Sequence, residues 1–196
     1  MRVALVDNGT TGLQNLLEML SGHDVELFPF EDADQILSLP FDCIVLSGGS
    51  RFSVMSNLDI LAGELRLIRE SSIPLLGICF GCELIAVAFG GTLRETPNKR
   101  QGVFDIRWTI ETSFFPSHKS FRAFEAHRWV LDSVPSPLLT LAMSESGPEV
   151  IRHDSRPIVG FQFHPEKKPS ETDGVQLFEA FLIFTSLSPA STVADS

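Results

Sequence analysis

Ile73-Pro74-Leu75-Leu76-Gly77-Ile78-Cys79-Phe80-Gly81-Cys82 decides how this chain folds. An apolar run enters Gly-x-Cys-x-Gly, and residues 82–89 continue with the spacing of a helix. A strand that turns at once into a helix holds one side chain, Cys79, on a tight elbow. Flanking glycines leave room for that turn and for a substrate, because the central residue has strained backbone angles. The thiol then sits at a helix N-terminus, where the dipole and free N–H groups favour the thiolate. The N–H of Phe80, the next residue, points where an oxyanion would form. Two other readings stay open for this segment alone. One is a buried structural cysteine, the usual place for a free thiol; the other is a redox pair of Cys79 with Cys82. Redox pairs usually carry both cysteines at the start of the helix with no glycine before them, so Cys82 is expected to face the core.

On either side of the elbow the same rhythm repeats. Apolar runs at 3–6, 25–28, 41–46 and 75–79 alternate with helical spacing at Leu13, Leu16, Leu17, Leu20 and at Leu58, Leu61, Leu65, Ile68. Continuous apolar strands between amphipathic helices predict a parallel sheet covered on both faces. The expected fold is α/β, a flavodoxin-like doubly wound sheet with Cys79 at the carboxyl end of a central strand, where such sheets place their ligands. After Gly90-Gly91 the pattern changes to shorter strands at 103–106, 138–143 and 149–151. An apolar strand at 157–163 and a helix at 175–187 close the chain. One domain is expected over 1–187, with residues 188–196, small and polar, as a frayed tail.

Composition narrows the function. The chain has 196 residues, 43% hydrophobic and 20% charged, which suits one globular domain and excludes a disordered or fibrous class. A formal net charge of −10, with no basic cluster longer than Lys99-Arg100 or Lys167-Lys168, repels phosphate backbones, so nucleic acid is not an expected partner. No apolar run reaches the ~18 residues of a membrane span. Residues 1–7 read as a strand that begins at once, not as a signal peptide. Three cysteines cannot all pair and are too few for a disulfide scaffold, so a reducing, cytoplasmic setting is expected.

The second chemical segment is Pro157-Ile158-Val159-Gly160-Phe161-Gln162-Phe163-His164-Pro165-Glu166. A buried strand ends in His-Pro-Glu, and the proline restricts both itself and the residue before it. An imidazole within reach of the Cys79 thiol can take its proton, while a carboxylate on the far side holds the tautomer and stabilises the imidazolium. Taken alone, the segment more often describes a surface histidine before a turn. A cysteine elbow in the first half and His-x-Glu at a strand end in the second, within one α/β chain, make the combination specific.

Together, Gly77-Ile78-Cys79-Phe80-Gly81 and Gln162-Phe163-His164-Pro165-Glu166 resemble the signature of class I, triad-type glutamine amidotransferases, and the resemblance spans nearly the whole chain. It implies that Cys79 attacks the glutamine side-chain amide to form a thioester that water resolves, with His164 as base and Glu166 as its orienting acid. Asp7-Asn8 is similar to the start of amidotransferase subunits of anthranilate and GMP synthases, and the chain is most like the GMP synthase type. Leu46-Ser47-Gly48-Gly49-Ser50 resembles the family's oxyanion loop, which implies Gly49 N–H as a second donor beside Phe80. The loop 98–103 stands where relatives contact glutamine with backbone atoms, which implies Gly102 as a contact; a plain turn glycine has the same appearance. No cofactor or metal is implied. The sequence carries no phosphate-binding loop, so ammonia is expected to pass to a separate synthase subunit docked over Cys79.

Two positions depart from the family pattern. Cys-x-Gly-x-Gln is usual, and the glutamine helps hold the amino-acid end of the substrate. Here the residue is Glu83, which can accept from the substrate ammonium but cannot donate to its carboxylate unless protonated. Cys-x-Gly-x-Glu resembles γ-glutamyl hydrolases, which share fold and triad; an exposed acid on the helix surface fits Glu83 equally well. The second is Ala126-His127-Arg128-Trp129-Val130, where GMP synthase amidotransferases usually read Ser-His-Gly-Asp-x-Val. This implies His127 as a residue behind the site or facing the partner, on a loop, though an ordinary loop histidine fits as well. His164-Pro165-Glu166-Lys167-Lys168 is also similar to the amidotransferase subunit of imidazole glycerol phosphate synthase. Three functions therefore stand: a biosynthetic glutaminase subunit, a stand-alone γ-glutamyl hydrolase, and an inactive regulatory relative, which the intact triad disfavours.

Overall fold

A computed structural model describes residues 1–49, 51–110, 119–168 and 170–187, so the expected tail at 188–196 and Ser50 of the glycine loop lie outside the described residues. The first half follows the apolar rhythm: β1 (Arg2–Asp7), α1 (Leu13–Met19), β2 (Asp24–Pro29), a 3₁₀ stretch (Phe30–Ser38), β3 (Cys43–Leu46), α2 (Ala62–Glu70), β4 (Leu75–Ile78) and α3 (Phe80–Ala88). Then come β5 (Thr92–Trp108), β6 (Ser120–Ser133), β7 (Leu138–Met143), β8 (Pro148–His153), β9 (Ile158–Phe161) and α4 (Gly174–Leu187). The strands form one sheet in the order β2-β1-β3-β4-β9-β8-β7-β5-β6. Pairing is parallel from β2 through β9 and antiparallel from β9 through β6.

Strand alternation sorts the parallel strands between two cores. Ala4, Val6, Ile44, Leu46 and Leu75 face the 3₁₀ stretch, α2 and α3, whose Ile36, Leu65, Ile68 and Ile85 fill that side. Val3, Leu5, Val45, Leu76 and Ile78 face α1 and α4 through Leu16, Leu177, Phe178 and Phe181. Every strand residue of β3 and β4 is buried, as two covered faces require. The flavodoxin-like α/β expectation holds.

Three local expectations are corrected. Helical spacing from Leu58 overshoots the start of α2: Leu58 is exposed, and the helix begins after Leu61, which is buried. The 3₁₀ stretch went unread because its acids, Glu31, Asp32 and Asp34, obscure the buried Phe30, Ala33 and Ile36. The segments at 98–103 and 126–130, expected as loops, are arms of the long β5–β6 hairpin. Polar residues hid the pattern: β5 carries Arg94, Glu95, Lys99 and Arg100, and the buried positions of β6 run Phe121, Ala123, Glu125, His127, so period two continues through two charged types.

The sheet curls, so that the distant hairpin returns over the carboxyl ends of the parallel strands. Phe124 of β6 forms an isolated bridge with His164, whose N–H donates to the Phe124 carbonyl at 2.8 Å.

Candidate active site

The elbow forms because β4 ends one residue before α3 starts, leaving Cys79 alone to make the turn. Its φ is +50° and its ψ −100°, a conformation that few non-glycine residues adopt. Two hydrogen bonds fix it: Cys79 N–H donates to Phe161 O at 2.7 Å, and Glu83 N–H donates to Cys79 O at 3.0 Å. The flanking glycines are required by close approach. A Cβ on Gly77 would run into the Gly81 backbone, and one on Gly81 would come within 2.6 Å of Leu46 O.

Beyond β9 the chain turns at His164 and Glu166, and both side chains are buried. His164 Nδ1 lies 2.7 Å from Glu166 Oε1. The Glu166 main chain is held by Asn15 Nδ2, which donates to Glu166 O at 2.9 Å, and its carboxylate packs on Gly12, where a Cβ would come within 2.7 Å of Oε1. Gly48 lies between base and nucleophile. A Cβ there would stand 3.0 Å from His164 Cε1 and 3.7 Å from Cys79 Cβ, so imidazole and thiol border the same small space. Gly49 follows, and its missing Cβ would sit 2.7 Å from Asn8 O and 3.2 Å from the Phe80 ring. The segments bearing Cys79, Phe80, Gly48, Gly49, His164 and Glu166 thus converge at the carboxyl ends of β3, β4 and β9.

One electrostatic expectation is corrected. The elbow was expected to favour a thiolate, but burial, then the Glu83 and Glu166 carboxylates, push the Cys79 thiol well above its usual value. The Phe80 N–H and the Lys167 charge oppose that rise without overturning it. With its proton held more tightly, Cys79 becomes nucleophilic as that proton leaves.

Glu83 is not an exposed acid. It is buried in the first turn of α3, and Gln162 Nε2 donates to its Oε1 at 3.2 Å while lying 4.0 Å from Cys79 Sγ. Burial, partly offset by the Gln162 hydrogen bond, raises its acid to about 8. Gln162 had no role assigned from sequence, although a polar residue inside an apolar strand was the signal. Asn8 Nδ2 donates to Ser47 O at 3.2 Å and to Glu64 Oε1 at 3.1 Å, bracing the glycine loop, a role the sequence resemblance at Asp7-Asn8 does not reveal.

Two further candidates lie on the β5–β6 hairpin. Gly102 is in β5, paired with Glu125, and its φ of +147° explains the glycine without a ligand. His127 is in β6, with its side chain 1% exposed and 3.2 Å from Glu125 Oε2. Burial removes it from any surface a partner could touch. Cys82 is buried in the core as expected, and the three cysteines are free, so no Cys79–Cys82 disulfide is present.

Comparison with known proteins places the chain in a family. The family model of class-I glutamine amidotransferases matches residues 4–184. The glutamine-hydrolysing GMP synthase subunit of Saccharolobus solfataricus is 31% identical over 186 residues, covering 93% of this chain and 97% of that protein. Anthranilate synthase component II of Haloarcula marismortui is 31% identical over 176 residues, 85% of this chain and 84% of its own. A crystal structure of a Thermoplasma acidophilum protein described as a GMP synthase subunit superposes with a TM-score of 0.85 at 25% identity, covering 95% of this chain and 94% of that one. The chain belongs to the class-I glutamine amidotransferases.

Proposed function

We propose that this chain hydrolyses the side-chain amide of glutamine through a thioester on Cys79 and delivers ammonia to a partner synthase, in the manner of a GMP synthase amidotransferase subunit. The observation that carries the reading is the convergence around Gly48 of a strained cysteine and a histidine already bonded to a carboxylate at 2.7 Å. With Nδ1 committed to Glu166, His164 has Nε2 to receive the Sγ proton as sulfur attacks the amide carbon. The developing oxyanion accepts from the N–H groups of Phe80 and Gly49. His164 then returns the proton to the leaving nitrogen, ammonia departs, and a thioester remains. Water, deprotonated by the same imidazole, releases glutamate and restores the thiol.

Glu83 supports glutamine as the substrate. An acid raised to about 8 keeps its proton at neutral pH, so it can both donate and accept, like the glutamine usual at this position. Of the two synthase relatives, one is named as a GMP synthase subunit, the other as component II of anthranilate synthase, and both names support a separate acceptor protein. Three free, buried thiols suit a reducing cytoplasm.

Glutamate release by the purified chain, measured on glutamine and on a γ-glutamyl peptide, tests the reading. Glutamine is expected to be the better substrate, with turnover increased by the partner synthase. Preference for the peptide would assign the chain to γ-glutamyl hydrolysis, and no turnover of either with the partner present would leave a regulatory domain.

A further inference from the structure

Outside the triad, the curl of the sheet brings Glu125 and His127 of β6 against Glu149 of β8. All three are buried, with exposures of 0%, 4% and 0%. One donor atom from each lies within 4.8 Å of those of the other two. Each residue is anchored by one atom. Glu125 Oε2 accepts from Arg100 Nε and sits 3.2 Å from His127 Nε2. Glu149 Oε1 accepts from Ser144 Oγ at 2.7 Å and Ser146 Oγ at 3.1 Å. Each also keeps one buried atom with no hydrogen-bond partner among the described residues: Glu125 Oε1, His127 Nδ1 and Glu149 Oε2.

Buried polar atoms are rarely left unpaired, and three in one cluster are a large uncompensated desolvation. A histidine whose Nε2–H is held by a carboxylate presents a lone pair at Nδ1, the orientation that metal-binding imidazoles take from their supporting acids. Arg100 pairs directly with the Glu125 carboxylate, while the hydrogen bonds to Glu149 come from hydroxyls. Three donors around one ion at about 2.0–2.2 Å stand no more than about 4.4 Å apart, close to the 4.8 Å within which one donor atom of each residue lies here.

We propose that Glu125, His127 and Glu149 form a binding site for a divalent transition-metal ion, with one nitrogen and two oxygen ligands and room in the coordination sphere for water. Its place gives the ion a bracing role. Glu125 follows Phe124, whose carbonyl holds the His164 backbone, and Glu149 O accepts from the Gln162 N–H at 2.9 Å. The ion ties β6 to β8 behind the two residues that set the histidine and the Glu83–Gln162 pair.

The test uses the full chain carrying Cys79→Ala, which removes the active-site thiol as a competing ligand. Metal-free protein is titrated with Co²⁺ and followed by visible absorption, and the complex is examined by X-ray absorption. One Co²⁺ per chain is expected, with one imidazole and only nitrogen and oxygen ligands, and a thermal midpoint that rises with free metal. His127→Gln and Glu149→Gln should each weaken binding by at least about 10–100-fold. Should either variant fail to fold, the imidazole count from X-ray absorption on the Cys79→Ala chain decides. Absence of binding at millimolar Co²⁺, a bound ion without an imidazole ligand, or unchanged affinity in folded variants would overturn the proposal.

Discussion

Gly48→Ala is the sharpest test of the site geometry, because it adds one methyl group and removes nothing. The new carbon would stand 3.0 Å from His164 Cε1, while carbon atoms in ordinary contact lie about 3.5–4.0 Å apart. The imidazole must therefore retreat by about 0.5–1 Å. Its Nδ1, the ring atom next to Cε1, is held by Glu166 at 2.7 Å, so that retreat disturbs the hydrogen bond orienting the ring as well as its reach to sulfur. A displacement near 1 Å costs about 100-fold in rate, and a smaller one correspondingly less. The expected result is kcat reduced about 10–100-fold, or about 1.4–2.8 kcal/mol of transition-state stabilisation, with KM nearly unchanged. Steady-state glutamate release measures it, and circular dichroism and thermal unfolding establish that the variant folds. A folded Gly48→Ala protein with more than half the original kcat would refute the placement of His164 beside Gly48.

His164→Ala should lower kcat about 10–100-fold further than Glu166→Gln, because the acid orients the base and transfers no proton itself; equal losses in two folded variants would give Glu166 another role. Glu83→Gln should keep activity within about threefold at pH 7, since it replaces a protonated acid with an amide of like shape, a change worth well under 1 kcal/mol. Above pH about 8 the unmodified chain should lose activity as Glu83 ionises and raises the Cys79 thiol further, and the variant should hold out to higher pH. Glu64 is buried and its acid is raised to about 8 from 4.5, chiefly by burial, so the folded state keeps a proton that the unfolded chain releases. Its contribution is full below pH 4.5 and fades as pH rises through 8. Glu64→Gln should therefore remove up to about 4 kcal/mol of the stability lost between pH 5 and 8, read from urea midpoints at several pH values.

The parallel half of the fold was legible because burial on two faces writes continuous apolar strands, as in Val3-Ala4-Leu5-Val6 and Cys43-Ile44-Val45-Leu46. The elbow was legible for a related reason: no residue but glycine fits at 77 and 81, so the turn is spelled out. The hairpin was not, because Glu125 and His127 occupy inward positions where apolar residues were sought. Their burial depends on Arg100 and Glu149, which come from two other strands and cannot be seen by any local pattern. The thiol's raised proton affinity was hidden too. It arises first from burial and then from acids at 83 and 166 that the fold brings to Cys79, and together these outweigh the Phe80 N–H at the helix end that the sequence advertises.

The central claim is that Cys79 forms the thioester, and mass spectrometry of acid-quenched protein after brief mixing with glutamine tests it most directly. The account predicts a glutamyl adduct on the peptide containing Cys79, absent from Cys79→Ser, with Cys43 and Cys82 unmodified in their buried positions. An adduct on Cys43 or Cys82, or turnover that persists in Cys79→Ser, would contradict it.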